Sequence, residues 1–134
     1  MVNVNKHELS QKQQDQLFSQ LNAALSGSSK KEVHAILTDL LGPEEKIMLA
    51  KRLGIILLLY EGNSLYKIAQ LLRVSTSTIS SLKRELEAGR YKNLLAVLHA
   101  NETDYVAILH TIDKILHLGG MLPRYGQRPR NIRN

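Results

Sequence analysis

Residues 65–84 read LYKIAQLLRVSTSTISSLKR, and how this stretch is understood decides the fold. From Ser75 to Ser81 six of the seven side chains are small hydroxyls, Ile79 being the exception. Composition alone would suit a solvated linker. The apolar positions argue otherwise. Two short helices joined by a tight turn cross closely only where particular positions are small or apolar, because the second helix has to wedge against the first. Ile68 and Leu72 give the first helix a buried face, and Ala69 permits the close approach. Val74 buries the turn, while Ile79 and Leu82 anchor the second helix from beneath. The spacing therefore predicts a helix-turn-helix over about residues 64–88. The position before Val74 usually holds a glycine in a left-handed conformation; Arg73 stands there and is expected to carry strain.

With Ile79 and Leu82 facing inward, the remaining side chains of the second helix fall outward or at its start. Ser75, Thr76, Ser77 and Thr78 lie at the helix entry, followed by Ser80, Ser81 and Arg84. Short hydroxyls let a helix sit deep in the DNA major groove, bonding phosphates and bringing Thr methyls to thymine methyls. Ser75 or Thr76 can cap the helix, whose N-terminal N–H groups then face a phosphate. Lys83, Arg84, Arg90 and Lys92 follow as a basic cluster, and Arg73, Lys83 and Arg90 are the expected backbone-phosphate contacts.

Around this unit the chain reads as all-α, since no segment alternates with the period of a half-buried strand. A first helix is expected over residues 7–25, with Leu9, Leu17, Phe18, Leu21 and Leu25 on one stripe and glutamines opposite. Ser29, with Glu32 three residues on, has the form of a capping box for a second helix over residues 30–41. Pro43 suits the first turn of a third, where its missing N–H costs nothing and Glu44 and Glu45 meet the positive dipole end. From Leu53 that helix is apolar on every side (LGIILLLY), so it is expected at the centre of the core and shared with a second subunit. Short helices over residues 65–72, 75–87 and 91–99 follow. A last one is expected over residues 104–118, capped by Thr103, with Val106, Ile108, Leu109, Ile112, Ile115 and Leu116 inward. The whole is expected to form one helical domain over residues 1–120, followed by a basic, disordered tail over residues 121–134.

Composition narrows the function classes. The 134 residues are 43% hydrophobic, enough to bury a core without staples. Cysteine is absent, which excludes disulfides, thiolate catalysis and cysteine-based zinc sites, and favours a reducing compartment. The N-terminus lacks the apolar segment of a signal peptide and no apolar run could span a bilayer, so a cytoplasmic protein without a membrane partner is expected. The net charge of +6 is concentrated in residues 121–134, which hold four arginines and no acidic residue, and it invites an anionic partner.

From about Leu40 to Gly89 the chain also resembles the Trp repressor superfamily, especially its small Trp-repressor-related proteins. The features that carry the resemblance are LLGPEEKIMLAKRLGIILLLYEGNS and IAQLLRVSTSTIS, which contain the family's LLxPxE lead and STxTIS core. The resemblance implies a Trp-repressor-like helical bundle and an intertwined homodimer, with a helix-turn-helix projecting from each subunit toward successive major grooves. It also implies a reason for the all-apolar third helix, whose counterpart packs at the dimer centre. Members that sense tryptophan use an Arg on that helix, matched by Arg52. They also carry an Arg-Gly pair directly after TIS/T, and this chain has Ser81-Leu82 there. Leu82 is expected to fill the pocket with its own side chain, so tryptophan is not expected as corepressor, and no cofactor is assigned.

Other chemistries find little support. His110 and His117 are seven residues apart, with His99 nearby, which is not the spacing of a helical zinc site, so no metal is expected. There is no Gly-rich phosphate loop, and no serine lies in a nucleophile-elbow or triad context, so an enzyme is not expected. The leading expectation is a sequence-specific DNA-binding transcriptional regulator, a repressor acting on a double-stranded operator. The alternatives are a helical protein-interaction adaptor and a helix-turn-helix subunit of a transposition or replication complex.

Overall fold

Ser10, Ser29, Ser64 and Ser75 each start a helix by accepting the backbone N–H three residues ahead, satisfying a donor that the first turn leaves open. The computed structural model describes residues 9–116, apart from the side chains of residues 103, 104, 115 and 116. The described residues form helices α1 (Gln11–Ser26), α2 (Lys30–Leu40), α3 (Pro43–Tyr60), α4 (Leu65–Leu72), α5 (Thr76–Glu87), α6 (Lys92–Ala100) and α7 (Glu102–Leu116). The fold is all-α, as the sequence indicates. The expected basic tail, His117 and the glycine pair at 119–120 lie outside the described residues.

The helices group into two compact units, one up to Met48 and one from Leu49 onward, the boundary falling inside α3. In the first unit, α1 begins at Gln11 rather than at residue 7. Ser10 and Gln13 make a full capping box, so the helix starts there; residues 7 and 8 are not described. Ser29 and Glu32 repeat the device at α2, as expected, and the Ser29 N–H and hydroxyl hold the Glu32 carboxyl below its ordinary value. Gly42 precedes α3 and has no side chain to cap it, but its N–H donates to Glu45 Oε1 at 2.8 Å. Neither α1 nor α2 has a buried residue. Leu21, Leu25, Val33, Ile36 and Leu37 are half-buried, whereas Leu17 and Phe18 remain 60% and 63% exposed.

In the second unit the all-apolar end of α3, Gly54 to Tyr60, is buried on every side. Its neighbours come from the same chain. Ile55, Leu58 and Leu59 pack with Ile68 of α4 and with Ile79 and Leu82 of α5. Leu57 and Tyr60 pack with Tyr105 and Leu109 of α7, and Leu95 and Leu98 of α6 close around them. α3 thus carries the helix-turn-helix on one side and the α6–α7 hairpin on another.

α7 begins at Glu102, so Thr103 lies inside the first turn and is not the cap expected of it. The Tyr105 N–H bonds back to the Asn101 carbonyl, placing the helix start earlier than the sequence suggested.

Candidate nucleic-acid interface

The turn between α4 and α5 closes in the manner its apolar pattern requires. Ser64 caps α4, its hydroxyl accepting the Lys67 N–H at 3.2 Å. The helix ends where the Val74 N–H reaches back to the Ala69 carbonyl at 3.1 Å, with Arg73 between them at φ 54° and ψ 53°. The same closure ends α3 and α5, with Gly62 and Gly89 at φ 90°. Arg73 is the position where a side chain stands in place of glycine, and the strain expected of it is present in the left-handed backbone. Val74 is half-buried against the core, and Ile79 is fully buried, so α5 is held from beneath.

The hydroxyls of α5 divide into a tied group at the helix start and the half-buried Ser80 and Ser81. Ser75 is the cap: its Oγ accepts the Thr78 N–H at 3.2 Å. It also lies 3.1 Å from the Ser77 hydroxyl and 2.8 Å from that of Thr78. These three groups are tied together at the helix start, although all remain exposed. Thr76 is exposed as well, while Ser80 and Ser81 are half-buried. Arg84 Nη2 donates to Ser81 Oγ at 3.3 Å, which lays the guanidinium along the outer face of α5. Lys83 is exposed beside it.

Arg90 is placed differently from Arg73, Lys83 and Arg84. Its Nη1 pairs with Glu85 Oε2 at 2.9 Å, and the same oxygen accepts the Tyr91 hydroxyl at 2.7 Å. The guanidinium lies 5.7 Å from the Tyr91 ring centroid. Burial, followed by the bond to Glu85, raises the Tyr91 hydroxyl above its ordinary range, so it stays a donor. Arg90 is therefore exposed but already committed to a carboxylate, and an incoming phosphate has to compete with Glu85.

Leu82 is 8% exposed and packed in the cluster that includes Ile55, Leu58 and Ile79. Arg52 is exposed on α3, near enough to Tyr91 to favour its ionised form slightly. Among the described residues no three His, Cys, Asp or Glu side chains gather as a metal site, and no helix is long and apolar enough to cross a membrane. His99 instead bonds Tyr60, its Nε2 2.9 Å from the phenolic oxygen, and Tyr105 is buried beside it. Neither Tyr60 nor Tyr105 was singled out from the sequence as a polar partner.

The family model of the Trp repressor protein matches residues 12–101, a span that takes in the capped helices, the buried end of α3 and the whole helix-turn-helix. The chain belongs to the Trp repressor family. Membership brings the coarse function of the family, a regulatory, DNA-binding role built on a helix-turn-helix. The Bacillus subtilis (strain 168) protein named Uncharacterized protein YerC is 37% identical over 93 residues, which cover 69% of this chain and 86% of that relative. No solved structure matches the chain significantly.

Proposed function

We propose that this Trp repressor family protein is a homodimeric transcriptional repressor that reads a palindromic DNA operator with α5. The observation that carries the reading is the division of α5 itself. Ile79 and Leu82 are buried beneath it, and a hydroxyl and basic surface of Thr76, Ser77, Thr78, Lys83 and Arg84 is left open. Ser75 takes up the Thr78 N–H, leaving the Thr76 and Ser77 N–H groups, which have no acceptor within the helix, to meet a phosphate. Thr76, Ser77, Ser80 and Ser81 then approach base edges, and Arg73 and Lys83 flank them as phosphate contacts. Arg90 joins them when DNA displaces it from Glu85.

Dimerisation is favoured by the large apolar side chains that one chain leaves open: Leu17, Phe18 and Leu40, and on α3 Ile47, Met48 and Leu49, each at least 50% exposed. Leu82, packed under α5, stands where the family's tryptophan-sensing members have glycine, so on this reading regulation runs without tryptophan even though Arg52 occupies the family's ligand position.

The test is fluorescence anisotropy with operator fragments selected from random DNA, over a salt series. Thr76→Glu with Ser80→Glu is expected to abolish specific binding while the dimer stays folded. Specific binding retained by that double variant overturns the reading. Affinity that is absent at every salt concentration identifies a protein-interaction adaptor instead, because binding through several phosphates weakens steeply with salt.

A further inference from the structure

The C-terminal end of α3 carries polar groups for which DNA reading has no use. Glu61, directly after the helix, is 5% exposed. Its Oε1 accepts the hydroxyl of Tyr105 on α7. Next to it the Tyr60 hydroxyl and His99 Nε2 of α6 lie 2.9 Å apart. The three rings close on one another, His99 lying 5.3 Å from Tyr60 and 4.9 Å from Tyr105 between centroids, with Tyr60 and Tyr105 edge to face. Leu57, Leu98, Ile108 and Leu109 pack around the cluster.

A buried carboxylate is costly unless a cation or several donors compensate it. The ionisable groups that act on Glu61 are the Tyr105 hydroxyl from α7 and the His99 ring from α6, and neither is a fixed cation. The cluster also sits on the turn that launches the helix-turn-helix. Gly62 reverses the chain, Asn63 Nδ2 donates to the Leu58 carbonyl at 2.9 Å, and Ser64 caps α4.

We propose that Glu61, Tyr105, Tyr60 and His99 form a proton-operated latch that fastens the α6–α7 hairpin to the end of α3, tightening when Glu61 takes up a proton. Burial raises the Glu61 carboxyl above its ordinary value, and the Tyr105 bond and the His99 charge only partly oppose this. Burial also lifts the Tyr60 and Tyr105 hydroxyls, so both stay neutral across the working range. The sign follows from linkage. A folded carboxyl raised above its unfolded value contributes stability that is complete below the unfolded value and is lost as pH rises through the folded one. The charge on His99 draws Glu61 back toward the ionised form, against the effect of burial. Mild acid thus seats the hairpin, and rising pH leaves a charge buried against a neutral phenol.

Hydrogen–deuterium exchange of the α6 and α7 amides in the full chain, corrected for intrinsic rates, tests this from about pH 8 down to about pH 5. Wild-type protection is expected to rise as pH falls. Glu61→Gln keeps an acceptor for Tyr105 but no charge, and is expected to be well protected throughout, with the slope lost. Tyr105→Phe removes the donor and is expected to lower protection about tenfold or more at neutral pH. A Glu61→Gln chain that keeps the wild-type slope, or is less protected at neutral pH, overturns the latch. Should the variants fail to fold, carboxyl NMR on the wild type decides. Titration of Glu61 above the ordinary glutamate value supports the latch, and titration at or below that value refutes it.

Discussion

Replacing Arg73 with glycine separates what this residue does for the fold from what it does for DNA. Its backbone is left-handed, at φ 54°. An L residue there costs roughly 1–2 kcal/mol, because Cβ crowds the following carbonyl oxygen. Glycine removes that cost but gives back about 0.5–1 kcal/mol by freeing the unfolded chain. The side chain is exposed and has no hydrogen bond or ion pair among the described residues, so its loss subtracts little packing. The net expectation for Arg73→Gly is a gain of about 0.5–1 kcal/mol, or a rise of a few degrees in Tm for a domain of this size. DNA binding moves the other way. Each phosphate contact removed lowers the slope of log K against log salt by about 0.9, and the proposed dimer would lose one such contact per subunit.

Arg73→Ala provides the control, since it removes the charge but leaves a Cβ in the left-handed backbone. It is expected to show the same loss of salt slope without the stability gain. Thermal denaturation and anisotropy titrations at several salt concentrations measure both effects. A fall in Tm for Arg73→Gly would refute the strain assigned to the turn. An unchanged salt slope in both variants would refute the phosphate contact.

Three further substitutions test the placement of the site. Gly54→Ala in the buried part of α3 is expected to stabilise by about 0.5–1 kcal/mol, the usual gain for removing a mid-helix glycine. The new Cβ would meet Leu72 Cδ1 at 3.7 Å, an ordinary contact, so a loss on denaturant unfolding would show the helix packing to be tighter than described. Ser75→Ala deletes the cap of α5 and the hub for the Ser77 and Thr78 hydroxyls, at an expected cost of about 1 kcal/mol in chemical unfolding. A neutral result would mean that α5 starts without it. Glu85→Gln releases Arg90 and removes a negative charge near the proposed DNA-facing surface, so non-specific DNA affinity and its salt slope are both expected to rise. No change in either would leave Arg90 outside the interface.

The helix-turn-helix was legible because its determinants are local. Ile68, Ala69, Val74, Ile79 and Leu82 lie within fifteen residues, and together with the chain's handedness they fix which way α5 faces. Capping follows from chemistry spanning three residues: Ser29 caps α2 as expected, Ser75 is the one of the two candidates that caps α5, and Ser64 caps α4. At α1 and α7 the apolar period ran past the cap or began after it, and the hydrogen bonds of Ser10 and Asn101 set the true starts. Within α5 sequence reasoning left the cap open between Ser75 and Thr76 and did not set the half-buried Ser80 and Ser81 apart from the exposed hydroxyls. Their division depends on which one turns toward the backbone, and composition does not record that.

The Glu61 cluster was hidden for a different reason. Its central bond joins residues 44 positions apart, and no local period brings Glu61 and Tyr105 together. A charged residue beside Gly62 reads as the polar end of a helix, and a tyrosine early in α7 reads as one more amphipathic position. Only the packing of α6 and α7 on α3 makes them partners.

The same limit reshapes the case for a second subunit. The run from Leu53 to Tyr60 shows that this segment has to be surrounded, but a sequence counts apolar faces without naming what covers them. Helices α4 to α7 of the same chain cover the end of α3. The uncovered side chains are Ile47, Met48 and Leu49 in the earlier, more mixed part of that helix, where Lys46, Lys51 and Arg52 dilute the hydropathy. The proposed second copy would therefore meet exposed apolar residues in the less apolar half of α3, whereas the most apolar half is already covered within one chain.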